Sequence, residues 1–328
     1  MGLIIGIIIG LVVLAALGAA GAYFYLQYSR NADWYYNKAL DHCHGGEVEK
    51  GIELFLKALE KNPEYSHVYY NLGLIYQKQN NMEQAKNYFA KALEVNPEDS
   101  DTHYNIGLIH YQEEKYDKAK ESLEKSLSLC AEDGDSQYAL GLVFEAQQEK
   151  EKALEAYQKA IALDSHNVNA MLFLGKLYDQ STQFEEAVQT YKQAIEQDPN
   201  NLEINYELSI SLAKTGDWDG TIEYCKKTLE IDPSYAKAFN QLGLALYCQS
   251  ELDEAIVNYK KAIEIDSDYA TAYNNLGYAL EKNKQYTEAI EIFKLYVTKV
   301  QDQSEKDEIE QHITLLEKKL LELDNAAG

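Results

Sequence analysis

Small side chains recur at a fixed interval between stretches of larger apolar residues over most of the chain. A first series of small residues, spaced by 34 positions, comprises Gly73, Gly107, Gly141, Gly175, Ser209, Gly243 and Gly277. A second series follows the first by 12 positions and comprises Ala85, Ala119, Ala153, Ala187, Thr221, Ala255 and Ala289. The four prolines are separated by 34, 102 and 34 residues: Pro63, Pro97, Pro199 and Pro233. A period of this length, kept in phase at several positions, indicates tandem structural repeats.

Each repeat is predicted to be a pair of helices. Leu, Ala, Glu, Lys and Gln are abundant, and all favour helix. Small residues such as Gly73 and Ala85 allow two helices to approach closely, and Pro97 ends a helix because proline has no amide proton and clashes with the preceding turn. Eight repeats fit without insertion, beginning at Ala32, Ser66, Ser100, Gly134, Val168, Leu202, Ala236 and Ala270. One hairpin cannot bury its apolar faces alone, so neighbouring repeats must stack.

Two segments carry a resemblance to a known family. Residues 69–73 (YYNLG) and 273–277 (YNNLG) are similar to the first-helix signature of the tetratricopeptide repeat, a helix–turn–helix unit of 34 residues. The resemblance implies an all-α fold, a right-handed superhelical solenoid of helix-turn-helix repeats over residues 32–303. It also implies that the first helices line a concave groove, with the second, fifth, sixth, ninth, twelfth and thirteenth residues of each repeat facing it.

The fifth and sixth positions of the repeats carry side chains suited to a protein or peptide ligand. The candidate partner-binding residues at these positions are Tyr36, Asn37, Tyr70, Asn71, Tyr104, Asn105, Tyr138, Tyr206, Asn240, Asn274 and Asn275. Tyrosine offers an apolar face with a polar tip, and asparagine offers a donor and an acceptor to an extended backbone. We call this set the Tyr/Asn ladder. The alternative is that some of these tyrosines only pack between adjacent helices.

Charge narrows the class of ligand. The formal net charge is −24 and no basic stripe offsets it, which excludes a nucleic acid partner. Arg30 is the only arginine, and no fifth position is lysine, so the clamp with which related repeats hold a chaperone's terminal carboxylate is missing. The second position is acidic at Asp33, Asp101, Asp135 and Glu203. These carboxylates favour a groove that tolerates basic segments, or simply interact with the helix dipole.

Catalytic and metal-binding motifs are missing from the sequence. It contains no phosphate loop, dinucleotide fingerprint or nucleophile elbow. His42, Cys43 and His44 are adjacent, and adjacent residues of a helix point in different directions, so they do not form a metal site. We therefore expect no enzymatic activity, no cofactor and no metal.

The beginning of the chain is predicted to cross a membrane. Residues 3–26 contain no charge and, as a helix, span roughly 36 Å against a hydrocarbon core of about 30 Å. Residues 1–31 are therefore assigned to a transmembrane anchor and a short linker. The alternative is a cleaved signal peptide, which the small residues 20–22 would permit, although a charged n-region is missing. Arg30 and Lys38 favour the repeats on the cytoplasmic side, and the periplasmic or luminal side stays open.

A glycine stripe runs along the predicted anchor. Gly2, Gly6 and Gly10 recur every four residues, a spacing that lets two spanning helices approach closely. A homodimer through this stripe is one expectation. The other explanation is that glycine is common in spanning helices.

Residues 304–328 are predicted to form a capping helix and a tail. Ser304 can begin a helix as its N-cap. An apolar stripe with helical spacing follows, comprising Ile309, Ile313, Leu316, Leu320 and Leu323. Covering the last hairpin is the simpler interpretation, and a coiled coil or partner helix is the alternative. Tyr296 occupies a small-residue position of the last repeat, where its bulk is tolerable because no ninth repeat packs there.

These features together predict a membrane-anchored scaffold that binds a peptide or protein segment in its concave groove. Two alternatives remain at this point. One is an accessory subunit of an envelope, secretion or glycosyl-transfer enzyme complex, and the other is a cleaved, secreted solenoid.

Overall fold

The structure is a computed structural model that describes residues 31–327, with side chains described through Leu323. The described residues form seventeen α-helices and contain no strand, which confirms the all-α repeat architecture. Residues 1–30, which include the predicted anchor and its glycine stripe, lie outside this part of the chain. From Ala32 to Ala327, no helix combines the length and the apolar character that a membrane crossing needs.

The chain divides into two compact units between Glu149 and Lys150. The helices of the first unit are α1 (Ala32–His44), α2 (Val48–Lys61), α3 (Ser66–Lys78), α4 (Met82–Val95), α5 (Ser100–Gln112), α6 (Tyr116–Leu129) and α7 (Gly134–Ala146). Those of the second unit are α8 (Lys150–Leu163), α9 (Val168–Gln180), α10 (Phe184–Gln197), α11 (Leu202–Thr215), α12 (Trp218–Ile231), α13 (Ala236–Cys248), α14 (Leu252–Ile265), α15 (Ala270–Lys282), α16 (Tyr286–Lys299) and α17 (Gln303–Ala327). Within each unit, the second helix of one repeat packs against the first helix of the next.

The periodic glycines mark the closest approach of the two helices in a hairpin. A Cβ added to Gly73 would lie 2.5 Å from Cε1 of Phe89, and one added to Gly175 would lie 2.4 Å from Cε1 of Tyr191. Both aromatic side chains are fully buried. The glycine of the first helix has no side chain, and this leaves room for the aromatic ring of the second helix to contact the backbone of the first.

The turn that follows each first helix places one residue in the left-handed region, with φ between 58° and 83°. These residues are spaced by 34 positions and comprise Gly46, Asn80, Glu114, Gln148, Thr182, Gly216, Ser250 and Lys284. Only two are glycine, and each of the others adopts this conformation at a cost of about 1–2 kcal/mol. The sequence signals the conformation at Gly46, Gly216 and, less strongly, Asn80, so at the other positions it emerges from the structure.

The predicted capping helix is present as α17. Ile309, Ile313 and Leu316 are buried in one apolar cluster with Phe293 of α16, whereas Leu323 is exposed and leaves the predicted stripe. α17 packs along α16, so it covers the last hairpin.

The predicted N-cap of α17 is wrong by two residues. The helix begins at Gln303, and Asp302 Oδ1 accepts a hydrogen bond from the Glu305 amide at 2.9 Å. An aspartate carboxylate caps a helix as well as a serine hydroxyl does, and Asp302 occurs first along the chain.

Tyr296 does more than fit at this position, because it forms contacts with the capping helix. Its ring is buried, and its hydroxyl donates to the carboxylate of Glu305 at the start of α17. Burial raises the pKa of Tyr296, so the hydroxyl stays protonated and remains a donor. The bulky side chain joins α16 to the capping helix at the position where other repeats need a small residue.

Candidate functional site

Residues of the Tyr/Asn ladder meet across repeat boundaries. Three hydrogen bonds link a first helix to the next one: Asn71 Nδ2 to Tyr36 Oη (3.3 Å), Asn105 Nδ2 to Tyr70 Oη (3.4 Å) and Asn275 Nδ2 to Asn240 Oδ1 (2.9 Å). The offset is 35 residues in every case, one repeat plus one residue. Within each unit, first helices linked in this way run parallel and in the same register, and we call the surface that they form the first-helix face of that unit.

Two asparagines of the ladder, Asn71 and Asn105, use both amide hydrogens within the chain. Besides the bond to tyrosine, Asn71 Nδ2 donates to the carbonyl of His67 at 2.7 Å, and Asn105 Nδ2 donates to that of Asp101 at 2.8 Å. The amide oxygen is then the group left for a ligand, as an acceptor for a backbone N–H. Part of the ladder therefore stabilises the stack of repeats, as the packing alternative anticipated.

The remaining ladder residues are placed differently. Asn37 is exposed on α1, and Tyr138 is half-buried on α7. The ring of Tyr206 packs edge-on against Tyr235, with the centroids 5.0 Å apart. Asn274 Oδ1 is buried and accepts no hydrogen bond from the described residues.

The tyrosines of the first unit lie in two kinds of surroundings. Tyr36 is covered by Tyr65, with ring centroids 5.1 Å apart. The residues one and two repeats after Tyr65 are Asp99 and Asp133, so the corresponding rings of Tyr70 and Tyr104 lie near carboxylates instead. Burial, followed by the nearby negative charges, raises the pKa of Tyr104 to about 12. The phenol is therefore neutral across the physiological pH range.

Carboxylates on the first-helix face differ between the two units. In the second unit two of them lie in ion pairs, since Glu203 pairs with Lys176, and Asp179 pairs with Lys214 at 3.1 Å. In the first unit Asp133 caps α7, with Oδ1 accepting from the amides of residues 135 and 136 at 3.1 and 3.2 Å. Asp99 accepts from Thr102 Oγ1 at 2.5 Å. These contacts orient the carboxylates but leave their negative charge in place.

An open cavity of about 490 Å³ lies between α1 and α3. Its apolar wall consists of Leu40, Cys43, Val48, Phe55, Leu74 and Ile75. Polar groups at its border come from Asn71, His44 and Lys78. Leu40, Cys43, His44, Leu74 and Lys78 occupy ninth, twelfth and thirteenth positions, which the family resemblance assigned to the groove. These repeat positions could have predicted the cavity residues from the sequence, but the predicted site was limited to the tyrosines and asparagines of the fifth and sixth positions.

Two of the three residues considered for a metal have neighbours of another kind. His42 Nδ1 lies 2.6 Å from Glu47 Oε2. Cys43 faces Gly51 of α2, where an added Cβ would lie 2.2 Å from its Sγ. Across residues 31–327, no group of three or more His, Cys, Asp or Glu residues is arranged to hold a metal ion.

Several solved structures share this fold. YrrB, described as a TPR protein with an unusual peptide-binding site, is 24% identical, with a TM-score of 0.53 over 57% of this chain and 96% of its own. Pseudomonas aeruginosa pilF is 22% identical, with a TM-score of 0.54 over 65% of this chain and 97% of its own. The APC/C hetero-tetramer Cut9–Hcn1 is 16% identical, with a TM-score of 0.51 over 86% of this chain and 55% of its own. Likeness at these identities establishes the fold.

Comparison with curated proteins gave no match. Four family models match the chain itself. A model described as TPR repeat matches residues 245–284, and models described as tetratricopeptide repeat match residues 67–99, 98–166 and 145–206. The matched segments contain Tyr70, Asn71, Tyr104, Asn105 and Tyr138 of the candidate surface, whereas the residues of α1 lie outside them. Residues 67–206 and 245–284 of this chain are therefore tetratricopeptide repeats.

Proposed function

We propose that the chain is a protein-interaction scaffold that binds an extended protein segment on the first-helix face of its first unit. The observation that carries this proposal is the apolar cavity between α1 and α3. Proteins built from these repeats generally mediate protein–protein interactions. YrrB, which shares the fold, has a peptide-binding site.

The cavity has the size and lining for one large apolar side chain. Burying a leucine or phenylalanine side chain stabilises a complex by about 1.5–3 kcal/mol. Asn71 lies at the border, and its amide oxygen can accept a hydrogen bond from the ligand's backbone. Apolar insertion beside a backbone acceptor is a common way for a rigid surface to hold an extended segment.

A substitution that fills the cavity is expected to block binding. Val48→Trp places an indole at the cavity wall, so a peptide selected on the wild-type protein should bind about 10- to 100-fold more weakly, because its apolar side chain loses its place. Affinities are measured by calorimetry with peptides of about twelve residues selected from a random library.

The matched control is Val257→Trp, the same substitution at a valine on α14 that is 66% exposed. It should leave the affinity unchanged. Equal affinity of both variants and the wild type would contradict a ligand site at this cavity.

We further propose that residues 3–26 anchor the scaffold in a membrane, with the repeats on the cytoplasmic side. The run has no charge, and its length fits a bilayer core. A scaffold held close to the bilayer by a short linker would meet partners that are themselves at the membrane. Cleavage after Ala22, which would release the repeats, is the competing outcome.

The anchor predicts that the full chain stays with membranes during alkaline extraction. Val13→Arg should shift it to the soluble fraction, because a charge at the centre of a spanning helix costs about 2.5–3.5 kcal/mol. Tyr28→Arg, outside the apolar run, should not. Mass spectrometry of the intact protein locates its N-terminus, and an N-terminus at Tyr23 would replace the anchor with a cleaved signal peptide.

A further inference from the structure

The first unit presents neighbouring carboxylates on its first-helix face. Asp99 and Asp133 precede α5 and α7, and Asp101 lies in the first turn of α5. Burial raises the pKa of Asp101, and the negative charges of Asp99 and Asp133 raise it further. Like charges repel one another, and a bound cation would relieve the repulsion.

Aromatic rings lie beside these carboxylates. Asn105 Nδ2 donates to Tyr70 Oη at 3.4 Å and to the Asp101 carbonyl at 2.8 Å, so the Tyr70 hydroxyl lies beside the first turn of α5. Burial raises the pKa of both Tyr70 and Tyr104, and nearby carboxylates, among them Asp99 and Asp101 for Tyr70 and Asp133 for Tyr104, raise it further. Both rings are half-buried, which leaves part of each accessible from solvent.

The chain covers other tyrosines with its own lysines. Lys282 Nζ lies 4.1 Å from the ring centroid of Tyr247, and Lys227 Nζ lies 4.3 Å from that of Tyr224. In the described part of the chain, no lysine lies over Tyr70 or Tyr104. A lysine or arginine from a ligand would find there both a π-face and a carboxylate, which is the arrangement that such cations favour.

We call Asp99, Asp101 and Asp133 the acidic surface. Its distance from the cavity follows from helix geometry. Leu74 on the cavity wall is the ninth residue of its repeat, and Asp101 is the second residue of the next, so they differ by about 10 Å along the helix direction. The side-chain hydrogen bond between Asn105 and Tyr70 joins α5 to α3, so the two helices lie roughly 10 Å apart. The two features are thus separated by about 14 Å, which an extended segment spans with about four or five residues.

We propose that the ligand of the first unit is an extended segment with one large apolar residue and, four or five positions away, lysine or arginine. The apolar side chain enters the cavity between α1 and α3, and the cations lie among Asp99, Asp101 and Asp133 beside Tyr70 and Tyr104. This inference rests on the proposed function and adds the chemistry of the partner.

The sequences of selected peptides provide the first test. Peptides from an unbiased library should be enriched in an apolar residue followed or preceded at that spacing by a basic one. Their affinity should fall by about tenfold or more between about 0.05 M and about 0.5 M NaCl, since salt screens exposed charge pairs.

Occupancy of the cavity is measured on the same protein by cysteine alkylation. Cys43 lines the cavity, and burial raises its pKa, so labelling is done near about pH 9, where lysine keeps its charge. A bound peptide should slow alkylation of Cys43. Cys130 and Cys248 are exposed and serve as internal controls whose rates should not change.

Charge neutralisation tests the acidic surface. The variant with Asp99→Asn, Asp101→Asn and Asp133→Asn should weaken the selected peptides by about tenfold, because each exposed pair contributes modestly. Asparagine caps helices as well as aspartate does, so folding should be preserved. The control replaces Glu53, Glu60 and Glu94 with glutamine, an equal change of charge at exposed positions of α2 and α4. It should bind like the wild type.

The outcomes separate the two proposals. Peptides that protect Cys43 but are acidic or neutral, with equal affinity for both triple variants, would overturn the basic ligand and leave the scaffold function standing. A library that yields no peptide able to protect Cys43 would overturn both. Basic peptides that bind the two triple variants equally would place the cation elsewhere and also refute this inference.

Discussion

Replacing Phe89 with alanine is expected to lower the free energy of unfolding by about 3–5 kcal/mol. The ring is fully buried, and it lies against the backbone of Gly73, where no side chain is present to fill the space that it would leave. The ring also contacts that of Tyr70, with centroids 5.9 Å apart, so the substitution removes a contact that supports a residue of the first-helix face. Denaturant titration measures the change, and hydrogen exchange of α3 and α4 locates it.

The glycine provides a reciprocal test of the same contact. Gly73→Ala would place a Cβ 2.5 Å from the Phe89 ring and should destabilise by about 1–3 kcal/mol. Combining it with Phe89→Leu should cost less than the sum of the single changes, because the smaller side chain makes room. Gly45→Ala is the control, since its nearest atom would be a backbone oxygen at 3.4 Å. Simple additivity would show that the ring and the glycine do not depend on each other.

The same contact explains why so much of the fold is predictable from the sequence. The small residue and the ring must both recur at the same interval, so the period appears directly in the sequence and identifies the helical hairpins. Features that depend on one local contact are less visible. Thr182 has a positive φ that the intrinsic preference of threonine does not suggest. The N-cap of α17 is Asp302, whose carboxylate accepts a hydrogen bond from the Glu305 amide, and not the predicted Ser304.

The candidate site was only partly predictable for a related reason. The family resemblance placed tyrosine and asparagine on the first-helix face, yet residues 35 positions apart turn out to bond each other. That use of Asn71 and Asn105 depends on the distance between neighbouring helices, which residue types do not reveal. The cavity between α1 and α3 likewise exists because the side chains there leave space unfilled. The repeat positions could indicate several of its lining residues but not the empty space itself.

Two adjacent leucines of the capping helix are expected to differ in their contribution to stability. Leu316 is 3% exposed and packs in the cluster that covers α16, whereas Leu315 is 65% exposed. Leu316→Ala should destabilise the second unit by about 2–5 kcal/mol, because the truncation leaves a cavity between the helices. Leu315→Ala should change stability by less than about 0.5 kcal/mol.

The measurement also distinguishes the two interpretations of α17. If the helix caps the repeats, Leu316→Ala should lower the denaturation midpoint of the second unit and speed hydrogen exchange throughout α16, since each repeat is stabilised by its neighbour. A surface reserved for a partner helix would depend instead on Leu315, Leu321 and Leu323, the exposed leucines of α17. Unchanged exchange in α16 after Leu316→Ala would therefore show that the last hairpin is stable without its cover, and that α17 serves another purpose.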